Sequence, residues 1–336
     1  VIGGLLTATN GGFNASGNFY VAGSAGTFGT VVISNGIFRC PNGNGLPTVG
    51  DFGNATIRQY GGEVNIAGEL YLANNGGTSS IELEGGRFVN STLLIGVRGL
   101  GVLTISGTAT AVLQNVSYAH PATTGTGILN LNGGVLQVAT RIEKPNAGAA
   151  ATFNFNGGVL RAGGDSTNFM QGLNTASVLA GGAFIDTAGF AIRIAQPLAD
   201  AGGGLTKLGA GTLTLDGAST YNGPTAVSAG TLRVHGALAA GSTVTVDAGA
   251  TLGGTGQVAG VALVSGTVEP GPGGGLTIGL DLTMFPGATA HFVLGGTNTA
   301  DYTRVRVIGF ATVDGTLRAA LTNGYVPAAG DSFTLL

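Results

Sequence analysis

Apolar and polar positions alternate along this chain in short runs, and the runs return with a fixed step. Gly-Gly pairs stand at Gly61-Gly62, Gly85-Gly86, Gly133-Gly134, Gly157-Gly158 and Gly181-Gly182, at one constant interval that is doubled between the second pair and the third. The beat missing from that series falls at Ala109-Thr110. Written in rows of 24, the chain places Ile57, Ile81, Ile105, Leu129 and Phe153 in one apolar column. Val64, Phe88, Val112, Leu136, Leu160 and Phe184 form a second. Directly beside the first run Arg58, Glu82, Ser106, Asn130 and Asn154, all polar. Neighbouring residues therefore point to opposite sides, as in a strand with one buried face.

A strand-like phrase with glycine punctuation and a period of 20–50 residues predicts a repeat architecture. No stretch holds a helical spacing. The predicted fold is all-β, a parallel β-helix (solenoid) in which each coil pairs its backbone with the next at about 4.8 Å. At about 22 residues per coil the 336 residues predict roughly 15 coils and a rod on the order of 70 Å long.

The phrase changes along the chain. Residues 1–200 read as coils of about 24 residues, with looser versions at Asn10-Gly11-Gly12-Phe13 and Asn35-Gly36-Ile37-Phe38, and a projecting loop over Cys40–Pro47. Over 201–280, Gly211-Thr212-Leu213, Gly230-Thr231-Leu232 and Gly249-Ala250-Thr251-Leu252 return at a shorter interval of about 19 residues, so narrower coils are expected. Residues 281–336 hold alternating strands around 290–294, 303–307 and 315–321, read as terminal coils or as a small sandwich-like or irregular cap.

One stretch carries a more specific signal. Gly203-Gly204-Leu205-Thr206-Lys207-Leu208-Gly209-Ala210-Gly211-Thr212-Leu213-Thr214-Leu215 continues through Tyr221-Asn222-Gly223-Pro224-Thr225 and closes with Ala229-Gly230-Thr231-Leu232-Arg233-Val234. It resembles the autotransporter-associated β-strand repeat of bacterial autotransporter passengers, closely from Gly203 to Val234 and as a looser echo to Val268. The resemblance implies a right-handed β-helix exported to a Gram-negative-type cell surface, and says little about activity. No set of amphipathic ten-residue membrane strands follows Val268, so the translocating barrel is expected to lie outside this chain or secretion to use another route.

Composition narrows the classes. The chain has 65 Gly, no Trp, 9% charged residues and a mean hydropathy of +0.39, which suits glycine turns around an ordered core and not disorder. Net charge is −3 with 13 scattered Lys and Arg, so no basic stripe points to nucleic acid. No run of 18 apolar residues predicts a membrane helix, and Val1-Ile2-Gly3-Gly4 reads as the middle of a coil, not as a signal peptide. The single Cys40 supports neither a disulfide framework nor a cysteine metal cluster.

Chemistry on a β-helix needs clustered groups. Glu82 and Glu84 share a strand face, but the rows of 24 place Ser106 and Thr108, then Asn130 and Asn132, above them. His120, His235 and His291 have no acid or serine at a repeat-related offset in this reading, and Gly163-Gly164-Asp165 occurs once. Arg304 and Arg306 read as a structural pair with Asp301. Arg58 under Glu82, Glu63 under Arg87, and Asn132 under Asn156 read as ladder contacts that fix register. The expectation is therefore no catalytic residue, no metal and no cofactor.

The two ends are apolar: Val1, Ile2, Leu5 and Leu6 at one, Phe333, Leu335 and Leu336 at the other. A solenoid end without a cap presents unpaired backbone groups. The reading is a non-enzymatic, extracellular or cell-surface structural protein, a rod or fibre subunit that stacks end to end with copies of itself. An adhesin passenger whose Asn, Thr and Ser rows meet glycans or another cell is the neighbouring reading. A polysaccharide lyase or hydrolase is the third.

Overall fold

The computed structural model describes residues 4–8, 12–15, 19–41 and 46–336. Asn10, Gly11 and residues 42–45 of the projecting loop lie outside the described residues. The described residues are all-β, without a helix, and their strands pair in parallel with strands one coil away to make a β-solenoid. The chain divides into two compact units, Val1–Ser177 and Val178–Leu336.

In the first unit one ladder stacks the strands Gly4–Ala8, Phe28–Ile33, Asn54–Gln59, Thr78–Leu83, Leu100–Ile105, Thr126–Leu131 and Ala150–Phe155. Their burial alternates residue by residue, so each strand gives one face to the core. Another ladder is built on the long strands Glu63–Leu72, Arg87–Ile95, Thr110–Tyr118 and Val135–Glu143. In the coil before them the same course is run by two short strands, Ile37–Cys40 opposite Glu63–Ile66 and Thr48–Val49 opposite Tyr71–Leu72. The Cys40–Pro47 segment is thus an insertion between two halves of one strand. Cys40 itself is buried, and burial pushes its thiol up.

The register corrects the columns read in rows of 24. Ile81 faces Leu103, and Leu103 faces Leu129, so Ile105 belongs two places further on, between Leu83 and Leu131. The polar column accordingly runs Glu82, Thr104, Asn130, with Ser106 outside it. A slip of two keeps the face. A slip of one does not: Phe88 faces Ala111 and not Val112, and Val112 points outward. Phe184 is likewise outward-facing, with Ala183 and Ile185 in the core. The slip starts upstream of the missing beat: pairing shifts by one at the bulge between Asn90 and Thr92, and Leu100 then faces Thr78. At the missing beat itself Gly107 makes the turn, with φ +56°, and a Cβ on it would lie 2.4 Å from the Glu84 carbonyl oxygen.

A corner invisible in that frame closes the long strands. Ala22, Gly50, Ala73, Gly96 and Ala119 each follow a residue paired to a neighbouring coil, Val21, Val49, Leu72, Ile95 and Tyr118. All five are left-handed, with φ of 54°, 75°, 55°, 69° and 64°. The chain therefore bends at the same place in successive coils, and each corner admits a methyl at most. Just past it Asn75 donates to Asp51 Oδ1 at 2.7 Å and Arg98 donates to Asn75 Oδ1 at 2.8 Å, a short polar ladder beside the turn.

The second unit has shorter coils. Leu205 faces Thr225, Thr225 faces Val244 and Val244 faces Ala262, so each of these coils is shorter than the one before it. The shortening has begun before residue 201, since Ala191 already faces Thr212, ahead of where a row of 24 would place its partner. Beyond 281 the ladders continue: Leu282–Met284 pairs with Ala311–Thr312, and Thr289–Leu294 pairs with Thr316–Leu321. Residues 322–336 are irregular and carry no strand, so the cap is of the irregular kind and not a sandwich.

Candidate functional site

The last coil of the second unit is the largest departure from the burial rule that shapes the rest. In the strand Thr289–Leu294 the inward residues Ala290, Phe292 and Leu294 are buried. Leu317, Ala319 and Leu321 stand opposite them in the last strand and hold the same inward phase. Yet Leu317 is 59% exposed and Leu321 53%, with Phe310 at 83% on the adjoining turn. Among the described residues the Thr316–Leu321 strand pairs with Thr289–Leu294 and with no further strand, leaving one row of backbone groups open. An apolar surface joined to an open strand edge is a template for strand addition.

The predicted end residues divide. Val1 and Ile2 lie outside the described residues; Leu5 sits opposite Thr30, and Leu6 opposite Val31. Phe333 packs edge-on against Tyr302, with centroids 5.4 Å apart, and against Tyr325 at 6.1 Å. Leu335 accepts a hydrogen bond from the Val305 N–H at 2.9 Å, while Leu336 is 43% exposed. Phe333 and Leu335 are thus engaged by their own chain. The exposed apolar side chains of the last coil include Phe310 on the turn and Leu317 and Leu321 in the strand, the latter two marked in the sequence by their period-two phase.

The predicted ladder contacts are present, with some exchange of partners. Arg58 Nε donates to Glu82 Oε2 at 2.8 Å, Asn154 to Asn130 at 2.8 Å and Asn156 to Asn132 at 3.1 Å. Arg87 does stand opposite Glu63, but Glu63 makes its ion pair with Arg39 at 3.8 Å. Arg304 donates to the Gly274 carbonyl at 3.4 Å, and the Asp301 carboxylate accepts from Asn298 at 2.9 Å, so those two do not form the expected pair.

Two histidines are less isolated than the sequence suggested. His235 Nδ1 lies 3.3 Å from Asp216, which comes one coil earlier and also pairs with Arg193. His291 Nδ1 lies 3.5 Å from Glu269, which Arg233 also meets at 3.5 Å. Gly253, between Arg233 and Glu269 in the register, has no side chain to separate them. Both clusters lie on the partly exposed outer face. Among the described residues no group of three or more His, Cys, Asp and Glu side chains is placed to hold a metal ion.

The stretch singled out in the sequence hides its chemistry in the core. Ile185, Lys207, Val227, Val246, Val264 and Met284 form one inward column, apolar but for the lysine. Lys207 is 0% exposed. Its Nζ donates to Thr187 Oγ1 at 2.9 Å, and to the carbonyls of Leu208, Gly209 and Ala229 at 2.9, 2.7 and 3.0 Å. These oxygens come from three consecutive coils. Burial lowers the lysine to about 8, with Asp186 acting in the opposite direction. Nearby, Tyr221 is fully buried, its hydroxyl 2.8 Å from Thr225 Oγ1, which is 2.7 Å from Ser242 Oγ in the next coil. Buried polar groups of this kind cost stability unless every one is satisfied. In the sequence Lys207 is one of 13 scattered Lys and Arg residues, and its inward position in the strand pattern is the signal that sets it apart.

Comparison with known proteins agrees on this stretch. Residues 205–234 match the model of the passenger-associated-transport-repeat family. The match takes in Lys207, Tyr221 and Thr225 and both flanking glycine turns. The chain matches no curated protein and no solved structure.

Proposed function

We propose, for a chain that carries an autotransporter passenger repeat on a parallel β-helix, a non-enzymatic structural role at the cell surface or outside the cell, exercised by end-to-end stacking of copies. The repeat supports a surface-associated or secreted passenger in general. The exposed inward-phase residues Leu317 and Leu321 on an open strand carry the stacking part of the reading. Burying such side chains contributes about 1.5–3 kcal/mol each, and a parallel strand laid on the edge adds backbone hydrogen bonds. A contact between unlike ends does not close on itself, so it extends into a filament.

The non-enzymatic part is supported by how the acids are used: Glu82 accepts from Arg58 and Ser80, and Glu269 faces Arg233 and His291. Sedimentation velocity over a concentration series tests the assembly. The wild-type chain is expected to sediment faster as concentration rises, and the Leu317→Lys/Leu321→Lys variant to stay at one sedimentation coefficient. Identical behaviour of the two would overturn the proposal.

A further inference from the structure

The outer surface of the first unit holds a groove of about 310 Å³. It forms where the long strands slip register, between Asn90 and Thr92 and between Leu113 and Asn115. A bulge bends its strand and re-aims the side chains beyond it. Past the bulges, Glu69, Thr92, Asn115 and Arg141 face one another across four successive coils. Two places on, and so on the same face, the column is Tyr71, Leu94, Ser117 and Glu143.

The groove has an apolar floor and hydrogen-bonding walls. The floor is Leu94, backed from below by buried Tyr71 and Val97, and Pro121 and Pro145 add apolar surface beside it. Above them the polar groups are held in place by one another: Tyr71 donates to Glu69 Oε2 at 2.7 Å, Arg141 Nε lies 2.8 Å from Glu143 Oε1, and Asn115 Nδ2 donates to Thr92 Oγ1 at 3.3 Å. Much bonding capacity is left over. A guanidinium has five N–H donors, and an ionised carboxylate about four acceptor positions. Asn115 Oδ1 lies beneath the groove surface with no hydrogen-bond partner among the described residues. That amide gains by turning toward an incoming hydroxyl.

The charge pattern selects among ligands. Two carboxylates, one guanidinium and the His120 imidazole line the groove, so it offers an anion no excess of positive charge, and the guanidinium already paired with Glu143 leaves no bare acidic pair for a cation. A neutral molecule dense in both donors and acceptors, with an apolar face for the floor, meets all three features. Four coils at the interstrand spacing span about 14 Å, which calls for an extended ligand. We propose that this groove binds a neutral oligosaccharide, with Asn115 and Arg141 taking its hydroxyls and Leu94 lying under a sugar face. The proposal is independent of end-to-end stacking.

Saturation-transfer NMR and calorimetric titration with cellotetraose, chitotetraose, maltotetraose and tetragalacturonate test it. At least one neutral tetrasaccharide is expected to bind, more tightly than tetragalacturonate. Asn115→Ala and Arg141→Ala are each expected to weaken that binding at least ten-fold, with circular dichroism and thermal midpoint close to wild type. Thr104→Ala, on a different face, serves as the control and leaves binding unchanged. Absence of binding by all three neutral probes at millimolar concentration would overturn the proposal, as would binding that both groove variants retain or a preference for tetragalacturonate.

Discussion

The ammonium of Lys207 donates to the carbonyl of Ala229 at 3.0 Å, reaching from one coil to the turn of the next. The same nitrogen reaches back to Thr187 in the coil before. A lysine in the core column thus joins three coils at their turns, where strand pairing is interrupted. Lys207→Met keeps the length of the side chain and removes the donor, leaving the Gly209 and Ala229 carbonyls without this bond. The expected loss is roughly 3 kcal/mol, from the cost of buried unsatisfied acceptors. Chemical denaturation of wild type and variant, compared at constant m-value, checks it.

The same residue predicts a pH dependence. Burial holds Lys207 at about 8 in the folded chain, against 10.5 for an ordinary lysine. Below about 8 both states carry the proton and the burial penalty is fully present. Between those values the unfolded chain binds a proton that the folded chain has released, so stability rises with pH. Tyr118 and Tyr221 are raised by burial, and oppose the trend once unfolded phenols ionise near 10. The thermal midpoint of the wild type is therefore expected to gain between pH 8 and 10 relative to Lys207→Met. Parallel midpoints over that interval would contradict the assignment.

The left-handed corner separates two substitutions that look alike in sequence. A Cβ on Gly96 would lie 1.9 Å from the Thr126 carbonyl oxygen, so Gly96→Ala requires the backbone to move. Ala73 already holds φ 55° in the coil before, and glycine takes that conformation without strain. Gly96→Ala is expected to cost more than about 2 kcal/mol, and Ala73→Gly to stay within about 1 kcal/mol of wild type. Equilibrium unfolding of both variants makes the comparison.

The sequence displayed the solenoid because its core is periodic: Ile57 and Ile81, or Leu136 and Leu160, do stack in register. It misplaced Val112 and Ile105 because a fixed row of 24 cannot absorb the bulge between Asn90 and Thr92 and the shorter coil that follows it. In period-two strands a shift of one place exchanges inside for outside. The Ala22-to-Ala119 corner escaped notice since alanine and glycine alternate there and only backbone geometry unites them. Lys207 escaped because charge suggests surface, although its neighbours Leu205 and Val227 mark the position as inward. At the C-terminal end the apolar residues Phe333 and Leu335 were visible in the sequence, but that they pack against Tyr302 and Val305 of their own chain depended on how 322–336 folds back.

Whether the open last coil is an assembly surface is decided by negative-stain electron microscopy of the purified 336-residue chain across a concentration series. Particles joined end to end into unbranched filaments with a regular axial repeat are expected, and are expected to be lost in the Leu317→Lys/Leu321→Lys variant. Separate particles at every concentration, or filaments that the variant forms equally well, would contradict assembly through that coil.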